Sequence, residues 1–352
     1  MGRYAWLLLL CCACSQVPEE TAPPAFAAML YPADNPSTEA GIALGGRLFF
    51  EPALSADGKI SCASCHLPER AFADNRRISR GVNGLLGTRN TPSLTNIGYL
   101  HQQLFWDGRA DDLEAQALHP IGTPHEMGGS WPAVIAELRS RPDYVAGFRA
   151  AFGASPIDST QVGRALAQYQ RTLVSDDSKY DRVRRGEASY TPAEALGDAI
   201  FFDLGDDPAG EFAGLPTGEC AHCHTAPHFT NQRFENNGLD GASDLGAFAD
   251  RGRGAINGQV FDNGRFRVPG LRNVALTAPY MHDGRFATLA EVIAHYNSGG
   301  HYAENRSANV RPLGLDEVQQ AALVTFMRTL TDSSFVVRGA GARVRRFPGM
   351  LR

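Results

Sequence analysis

Two copies of the pattern Cys-x-x-Cys-His constrain this chain more than any other feature. They read SCASCH over residues 61–66 and ECAHCH over residues 219–224. In this pattern the two thiols attach to the vinyl groups of one haem, and the histidine binds the iron from the proximal side. We therefore predict two covalently bound c-type haems. The residues that hold them are Cys62, Cys65 and His66 in the first motif and Cys220, Cys223 and His224 in the second.

The distribution of cysteines favours haem over two plainer interpretations. Of the seven cysteines, Cys11, Cys12 and Cys14 fall at the N-terminus, and the two motifs contain all the others. Exported proteins commonly use cysteine pairs as disulfides, and paired cysteines also occur in zinc sites. Each pair here, however, is followed at once by histidine, and no further cysteine is left to complete a zinc site. Disulfides and zinc therefore stand only as the alternatives.

The N-terminal sequence indicates export. MGRYAWLLLLCCACS has one basic residue, a short apolar run and then small residues, which is typical of a signal peptide over residues 1–20. The apolar run is too short to span a bilayer as a helix. Cys14 follows Ala13 and resembles the acylated cysteine of a lipoprotein, with plain cleavage as the alternative. We predict a periplasmic protein that contacts the membrane only through a lipid anchor.

The charge of the chain argues against two classes of partner. The net charge is −5, and Lys and Arg form no block along the sequence. Nucleic acids and anionic membranes attract clusters of basic residues, so neither is an expected partner. The mild acidity suits a basic protein partner.

An internal repeat surrounds the two motifs. Before each motif a helical pattern ends in Phe-Phe, in LGGRLFFEPALS and in AEALGDAIFFD. After each motif, RNTPSLTN matches FRVPGLRN, and WDGR matches HDGR. We predict a mostly α-helical protein with two cytochrome c-like haem domains in tandem and long loops. The predicted domains cover residues 30–185 and 190–332.

Capping signals locate several of the predicted helices. Thr191, Pro192 and Glu194 form a helix N-terminus with a capping box, and Thr288 and Glu291 form a second box. Strand signals are sparse, and the Gly- and Asp-rich stretches 203–219 and 235–264 are predicted to be loops. Two of the predicted helices begin near Ser37 and Thr191. Four more are predicted over residues 131–140, 160–173, 288–297 and 315–330.

The two halves differ where a second axial ligand would bind the iron. Aligning Asp-Gly-Arg of one half on Asp-Gly-Arg of the other puts Tyr296 opposite Pro120. A tyrosine oxygen binds iron, whereas proline offers no ligand atom. We therefore expect the first haem to be open to small oxidants and the second to be closed and to transfer electrons. His119, beside Pro120, is a rival ligand.

At this point the chain resembles the bacterial di-haem cytochrome c peroxidase and MauG family. The resemblance covers residues 30–332 and rests on LGGRLFFEPALS, CASCH, RNTPSL, FWDGR, HEMG, CAHCH, VPGLRNVALTAPYMHDGR and TLAEVIAHYNSGG. It implies that the N-terminal domain is the peroxidatic domain, that the C-terminal domain transfers electrons, and that hydrogen peroxide is the oxidant.

The resemblance also implies three catalytic residues. The tryptophan that relays electrons between the haems matches Trp106, and Gln116 and Glu126 follow at ten-residue steps. The glutamate lies over the open iron in this family, where a carboxylate can move a proton between the oxygens of peroxide. Alone, each residue has a plain structural interpretation, as a core aromatic, a helix-surface amide and a loop charge. Together, at the family's spacing, they favour catalysis.

A calcium ion between the haems is a further implication of the resemblance. Its protein ligands would be Asn90, Thr277 and Pro279, the last two through backbone carbonyl oxygens. Oxygen ligands suit calcium, so the chemistry is permissible.

Two departures point to one branch of the family. Respiratory peroxidases carry a histidine after the first haem that caps the resting iron, and Val82 stands at that position in SRGVN. They use methionine as the distal ligand of the second haem, where this chain has Tyr296, as in MauG. Met281 is at a position that is not a ligand in the family, and His295 faces another side of the helix. Both departures favour the MauG-like enzymes, including the MbnH group.

The sequence therefore predicts a peroxide-dependent di-haem oxidase that oxidises a side chain of a periplasmic partner protein. One alternative is a cytochrome c peroxidase that removes hydrogen peroxide with electrons from a small cytochrome or cupredoxin. The other alternative is a non-enzymatic electron carrier. Val82 and Tyr296 favour the first function over the second, and Glu126 with Pro120 favours either enzyme over the carrier.

Overall fold

The computed structural model describes residues 26–100 and 103–344 of the 352-residue chain. The predicted signal peptide, including Cys14, lies outside these residues. Among the helices of the described part, none combines the length and the apolar character that crossing a lipid bilayer requires.

The fold is mostly α-helical, which confirms the predicted fold class. Within the described residues, the one sheet pairs β1 (Phe234–Glu235) with β2 (Phe266–Arg267) in antiparallel fashion. Short 3₁₀ turns and irregular loops connect the helices. The helices are α1 (Glu39–Phe49), α2 (Cys62–Cys65), α3 (Leu113–Gly122), α4 (Trp131–Ser140), α5 (Pro142–Phe152), α6 (Ser159–Arg171), α7 (Lys179–Arg184), α8 (Pro192–Phe201), α9 (Gly254–Asn257), α10 (Leu289–Ser298), α11 (Glu317–Thr329) and α12 (Ser333–Val344).

The capping signals mark the helix ends that they predict. The Thr191 hydroxyl accepts a hydrogen bond from the backbone N–H of Glu194 at the start of α8, and Thr288 does the same for Glu291 at the start of α10. α10 ends at Gly299, whose φ of 82° is left-handed and favours glycine. The sequence analysis missed α2, α3, α5, α7, α9 and α12, and α9 lies within the stretch 235–264 that it predicted to be a loop.

One helix pair forms the centre of each half, and the two pairs are related by the sequence repeat. α1 packs against α6 in the first half, and α8 packs against α11 in the second. Both crossings are close because a glycine lies at the contact. A Cβ atom added to Gly45 would lie 1.9 Å from the carbonyl oxygen of Ala165, and one added to Gly197 would lie 2.1 Å from that of Ala322. Each pair therefore needs glycine at this position.

Each half has its own hydrophobic core. The first core contains Phe49 and Phe72 together with Tyr144, and the second contains Phe201 and Phe229. Two aromatic side chains pack in a core other than that of the helix pair that precedes them in sequence. Tyr180 of α7 follows the first half but packs in the second core, and Phe335 of α12 follows the second half but packs in the first core.

The halves meet at a buried segment around Ser175. The side chain of Asn96 exchanges two hydrogen bonds with the backbone of Ser175, at 2.8 and 3.0 Å. Its repeat-related partner, Asn273, donates from its side-chain amide to the Ser175 hydroxyl at 3.0 Å. Both asparagines have left-handed φ angles, 58° for Asn96 and 62° for Asn273. The final residue of each repeated RNTPSLTN or FRVPGLRN segment therefore fixes the junction.

Replacement of Gly45 by alanine should destabilise the protein by about 1–3 kcal/mol, because the methyl group overpacks the crossing of α1 and α6. Gly46→Ala is the matched control, because its Cβ would lie 3.3 Å from the edge of the Tyr169 ring. Chemical denaturation of both variants measures the difference. Equal stability of the two variants would contradict the proposed role of the close crossing.

Candidate functional site

The first Cys-x-x-Cys-His motif opens into a cavity, called here the first cavity, that Cys62, Cys65 and His66 line. The two cysteines form no disulfide. The Nδ1 atom of His66 lies 2.9 Å from the carbonyl oxygen of Phe72. When Nδ1 carries the proton and donates it to this oxygen, Nε2 keeps the lone pair that an iron ligand needs.

The second motif repeats this arrangement. Cys220, Cys223 and His224 line a second cavity, and these cysteines form no disulfide either. The Nδ1 atom of His224 lies 2.9 Å from the carbonyl oxygen of Phe229 and 3.1 Å from that of Pro269.

The chemistry of both donor sets suits covalently bound haem. Burial lowers the pKa of His66 and of His224, so that both imidazoles are neutral. Burial also raises the pKa of the Cys62 and Cys220 thiols to about 12. Among the described residues, three or more His, Cys, Asp or Glu side chains nowhere gather as a metal site. Each cysteine pair thus lies on the same cavity as a neutral histidine, and this set of side chains can hold haem c.

Helix α3 and the loop after it bring the predicted catalytic residues to the first cavity. Gln116 and Pro120 of α3 and Glu126 of the loop all line it, together with His125. His119, by contrast, is exposed, and its ring packs against Phe105 at 5.5 Å. His119 is therefore directed away from the cavity that Pro120 lines.

The Glu126 carboxyl group lies in a partly apolar environment. Burial raises its pKa, and the positive charges of Arg109 and of His125, when protonated, oppose that shift. The guanidinium of Arg109 stacks over the Phe105 ring at 3.6 Å and pairs with Asp107 at 3.0 Å. The carboxyl group can therefore change protonation closer to neutral pH than an exposed glutamate.

Backbone contacts with residues 81 and 82 fix the position of Glu126. The Val82 N–H donates to the Glu126 carbonyl oxygen at 2.8 Å. A Cβ atom at Gly81 would lie 2.3 Å from the carbonyl oxygens of both His125 and Glu126. The Val82 side chain itself is buried. The sequence analysis considered Val82 only because it replaces a histidine ligand of the respiratory enzymes. It missed Gly81, and the only signal in the sequence is that Gly81 directly precedes Val82.

Trp106 lies between the two cavities and lines both. Its indole N–H donates to the carbonyl oxygen of Asn90 at 2.8 Å, and its own carbonyl oxygen accepts from the N–H of Arg267 at 2.8 Å. The Asn90 N–H in turn donates to the carbonyl oxygen of His282 at 2.8 Å. Segments from both halves therefore hold the ring in place.

An ion-pair network beside Trp106 was not anticipated from the sequence. Arg89 donates to Asp107 at 2.6 Å and makes two hydrogen bonds to Asp250, each of 2.8 Å. Paired guanidinium and carboxylate groups have strong, directional geometry. Asp107 directly follows Trp106, and Asp250 belongs to the second half, so the network clamps the tryptophan segment across the junction.

Tyr296 lies on the second cavity, which also contains His224. Burial raises the pKa of its phenol to about 12. The Asn237 side-chain amide lies 3.3 Å from the Tyr296 hydroxyl oxygen and 3.4 Å from the Met281 sulfur, and it can donate to both. His295 instead pairs through Nε2 with the backbone carbonyl oxygen of Asn237 at 3.0 Å. Asn237, which the sequence analysis missed, contacts every residue considered there as a distal ligand of the second haem.

The three residues that the resemblance implies as calcium ligands all line the second cavity. The Asn90 side-chain NH₂ donates to the carbonyl oxygens of Arg76 and Arg77, at 3.1 and 3.2 Å, so its amide oxygen points the opposite way. Thr277 and Pro279 lie on the same stretch of chain after the 3₁₀ turn at 274–276. All three residues would bind calcium through neutral oxygen atoms, namely the side-chain amide oxygen of Asn90 and the backbone carbonyl oxygens of Thr277 and Pro279.

Comparison with known proteins identifies the family. Residues 39–189 match the family described as di-haem cytochrome c peroxidase. The chain is 38% identical over 330 residues to cytochrome-c peroxidase IdrP1 of Denitromonas iodatirespirans, covering 85% of this chain and 84% of that protein. It is also 38% identical over 302 residues to the methylamine utilization protein MauG of Methylorubrum extorquens, covering 85% of this chain and 80% of MauG.

Solved structures support the same conclusion. The crystal structure of a MauG-like protein associated with microbial copper homeostasis superposes with a TM-score of 0.79 at 36% identity, covering 90% of this chain and 96% of that one. The chain belongs to the di-haem cytochrome c peroxidase and MauG family. It is therefore a di-haem oxidoreductase with haem c cofactors, and hydrogen peroxide is the substrate that this family implies.

If Glu126 acts on peroxide as the sequence predicts, replacement of Gly81 by alanine should slow the reaction with hydrogen peroxide by about 10²-fold, because the methyl group displaces the Glu126 backbone. Gly87→Ala is the matched control in the same segment, since its Cβ would lie 3.7 Å from the nearest atom, Ile78 Cγ2. Stopped-flow absorbance after mixing with hydrogen peroxide measures both rates. A Gly81→Ala rate as fast as that of Gly87→Ala would contradict this account.

Proposed function

We propose that this protein is a MauG-like oxidase that uses hydrogen peroxide to oxidise a side chain of a partner protein. The observation that carries the proposal is the difference between the two cavities: Glu126 and Pro120 line the first, and Tyr296 lines the second. One side thus offers a proton-transfer group without a tyrosine ligand, and the other offers a phenol oxygen. The N-terminal sequence supports a periplasmic location for this reaction, with Cys14 as a lipid-anchoring residue.

Bound haem supplies the redox chemistry by which hydrogen peroxide is reduced to water. Glu126 accepts a proton from one peroxide oxygen and returns it to the other as that oxygen leaves, which is general acid–base catalysis. Gln116 lines the same cavity and is positioned as a hydrogen-bonding group. Water formation consumes two electrons and two protons for each peroxide.

Trp106 provides the route for those electrons from the second half. Its ring lines both cavities, and the hydrogen bond to Asn90 fixes its orientation. Tyr296 would hold the second haem through its phenol oxygen, and such a hard ligand would favour higher oxidation states of iron than a thioether does. The partner protein, which we propose to be another periplasmic protein, donates the electrons from an oxidisable side chain.

The competing function is that of a cytochrome c peroxidase that takes electrons from a small cytochrome or cupredoxin. The relative IdrP1 is named a cytochrome-c peroxidase, and its sequence is 38% identical to this chain, the same value as for MauG. Val82 and Tyr296 favour the MauG-like function, since neither residue type is the corresponding ligand of the respiratory enzymes.

The product of the reaction distinguishes the two functions. Incubation of the protein with peroxide and a candidate exported partner protein should yield a peroxide-dependent modification of Trp or Tyr, which mass spectrometry of that partner detects. Rapid oxidation of a reduced small cytochrome without any side-chain modification would instead establish the peroxidase. Before peroxide is added, electron paramagnetic resonance should show one high-spin and one low-spin ferric haem. Two low-spin haems would mean that a side chain such as His125 closes the first iron.

Glu126→Gln should slow the reaction with peroxide by about 10²–10⁴-fold, because the amide cannot act as a general base. In the unchanged protein, the rate should fall as the pH drops through the raised pKa of Glu126, which lies above the value of about 4.3 for an exposed glutamate. Arg109 and His125 are the charged groups that face this carboxyl group. Stopped-flow rates over a pH series measure both effects, and a Gln variant that keeps the acidic limb would remove the assigned role.

We also propose a calcium ion at Asn90, Thr277 and Pro279. Asn90→Ala should lose the bound calcium, because it removes the one side-chain oxygen of the set, and elemental analysis of the purified protein measures the loss. Asn257→Ala is the matched control, because Asn257 is exposed on α9. Equal calcium content in both variants, or none in the unchanged protein, would contradict the proposal.

A further inference from the structure

Both proximal histidines pair at 2.9 Å with the carbonyl oxygen of a phenylalanine that has an unusual backbone conformation, and His224 has the Pro269 carbonyl oxygen as a second partner at 3.1 Å. The phenylalanine is Phe72 for His66 and Phe229 for His224. Phe72 has a φ of 59° and Phe229 a φ of 56°. A bulky residue is disfavoured in this left-handed region and stays there only when its surroundings hold it. The packing around each ring therefore decides where each carbonyl oxygen points.

Two aromatic rings hold Phe72, which is completely buried. Phe49 of α1, from the same half, lies 5.9 Å away between ring centroids. Phe335 of α12 lies 5.7 Å away and comes from the far end of the chain. A Cβ atom at Gly339, one turn further along α12, would lie 3.0 Å from the Phe72 ring, so the helix itself covers this residue.

Phe229, also completely buried, has the equivalent pair of neighbours. Phe201 of α8 is the repeat-related counterpart of Phe49 and lies 5.8 Å away. Tyr180 of α7 lies 5.0 Å away with its ring nearly perpendicular, at 76°. In each half, then, one ring comes from that half and the other comes from a helix that follows the opposite half.

The sequence repeat relates the two exchanged helices. α7 follows α6 through RTLVSDDSKY, and α12 follows α11 through RTLTDSSF. α6 packs in the first half and α11 in the second, but Tyr180 and Phe335 each cross to the other core. The exchange is therefore reciprocal, and it is a property of the repeat rather than of one terminus.

We infer that Phe335 and Tyr180 are positioning residues, each of which sets the proximal histidine hydrogen bond in the opposite half. Phe335 acts on His66 through Phe72, and Tyr180 acts on His224 through Phe229. The physical basis is that a hydrogen bond from Nδ1–H to a carbonyl oxygen increases the basicity of a histidine that binds a metal. A more basic ligand stabilises ferric over ferrous iron, so loss of the bond raises the reduction potential.

The position of Phe335 is linked to the junction between the halves. Asp332 accepts from the Phe335 N–H at 2.9 Å with one carboxylate oxygen and from the Ser175 hydroxyl at 3.1 Å with the other. The Asp332 N–H donates to the side-chain oxygen of Asn273 at 2.8 Å. These hydrogen bonds fix the start of α12 to the second half. Through Phe335, the second half is therefore connected to the His66 side of the first haem site by a route separate from Trp106.

The test measures the reduction potentials of both haems in the complete protein by spectroelectrochemistry. Phe335→Ala should raise the potential of the first haem, which His66 ligates, and leave that of the second unchanged. Resonance Raman spectra of the reduced protein should show a lower iron–histidine stretching frequency for the first haem. Phe335→Leu removes the aromatic ring but keeps most of the side-chain volume. It replaces the alanine variant in this test if that variant does not fold. Neither readout depends on the substrate proposed above.

Two further variants make the test decisive. Tyr180→Leu should shift the potential of the second haem alone, the reverse of the Phe335 result. Phe148→Ala removes an equally buried ring from the first core, where Phe148 packs on Phe152, and should lower stability without a shift at either haem. The inference is overturned if the Phe335 variants lose stability with no shift, if both haems shift equally, or if Phe148→Ala gives the same shift.

Discussion

The burial of two neutral histidines is the constraint on which the rest of the structure depends. Each imidazole lines a cavity, and its Nδ1–H faces the protein, where a donor without a partner costs about 1–3 kcal/mol. His66 and His224 meet that requirement with the carbonyl oxygens of Phe72 and Phe229. The two phenylalanines that supply those oxygens have left-handed backbone conformations, and aromatic rings from α12 and α7 pack against them.

The repeated scaffold supports two different chemical environments. Around the proximal histidines the halves are nearly equivalent, down to the close helix crossings at Gly45 and Gly197. On the opposite sides of the cavities they diverge, with Glu126 held by backbone contacts in one and Tyr296 held beside Asn237 in the other. Trp106 borders both environments, and the pairing of Arg89 with Asp107 and Asp250 ties its segment across the junction. The two halves thus share repeated helix pairs but differ in a few side chains that line the cavities.

Much of the fold was predictable because its signals are local. The two haem motifs, the Phe-Phe helix ends and the capping boxes at Thr191 and Thr288 each lie within a few residues of sequence. α3 was missed because Pro120 lies in its last turn and obscures the helical pattern. Gly81 and Asn237 were missed because their importance comes from residues 45 and 59 positions away, which no local pattern reveals.

The exchange of α7 and α12 has a consequence for how the chain folds. Neither half encloses its own histidine support, since Phe72 is completed by residue 335 and Phe229 by residue 180. A fragment that contained one half alone would expose an apolar surface where the missing helix belongs. We therefore expect the two sequence repeats to unfold as a single cooperative unit.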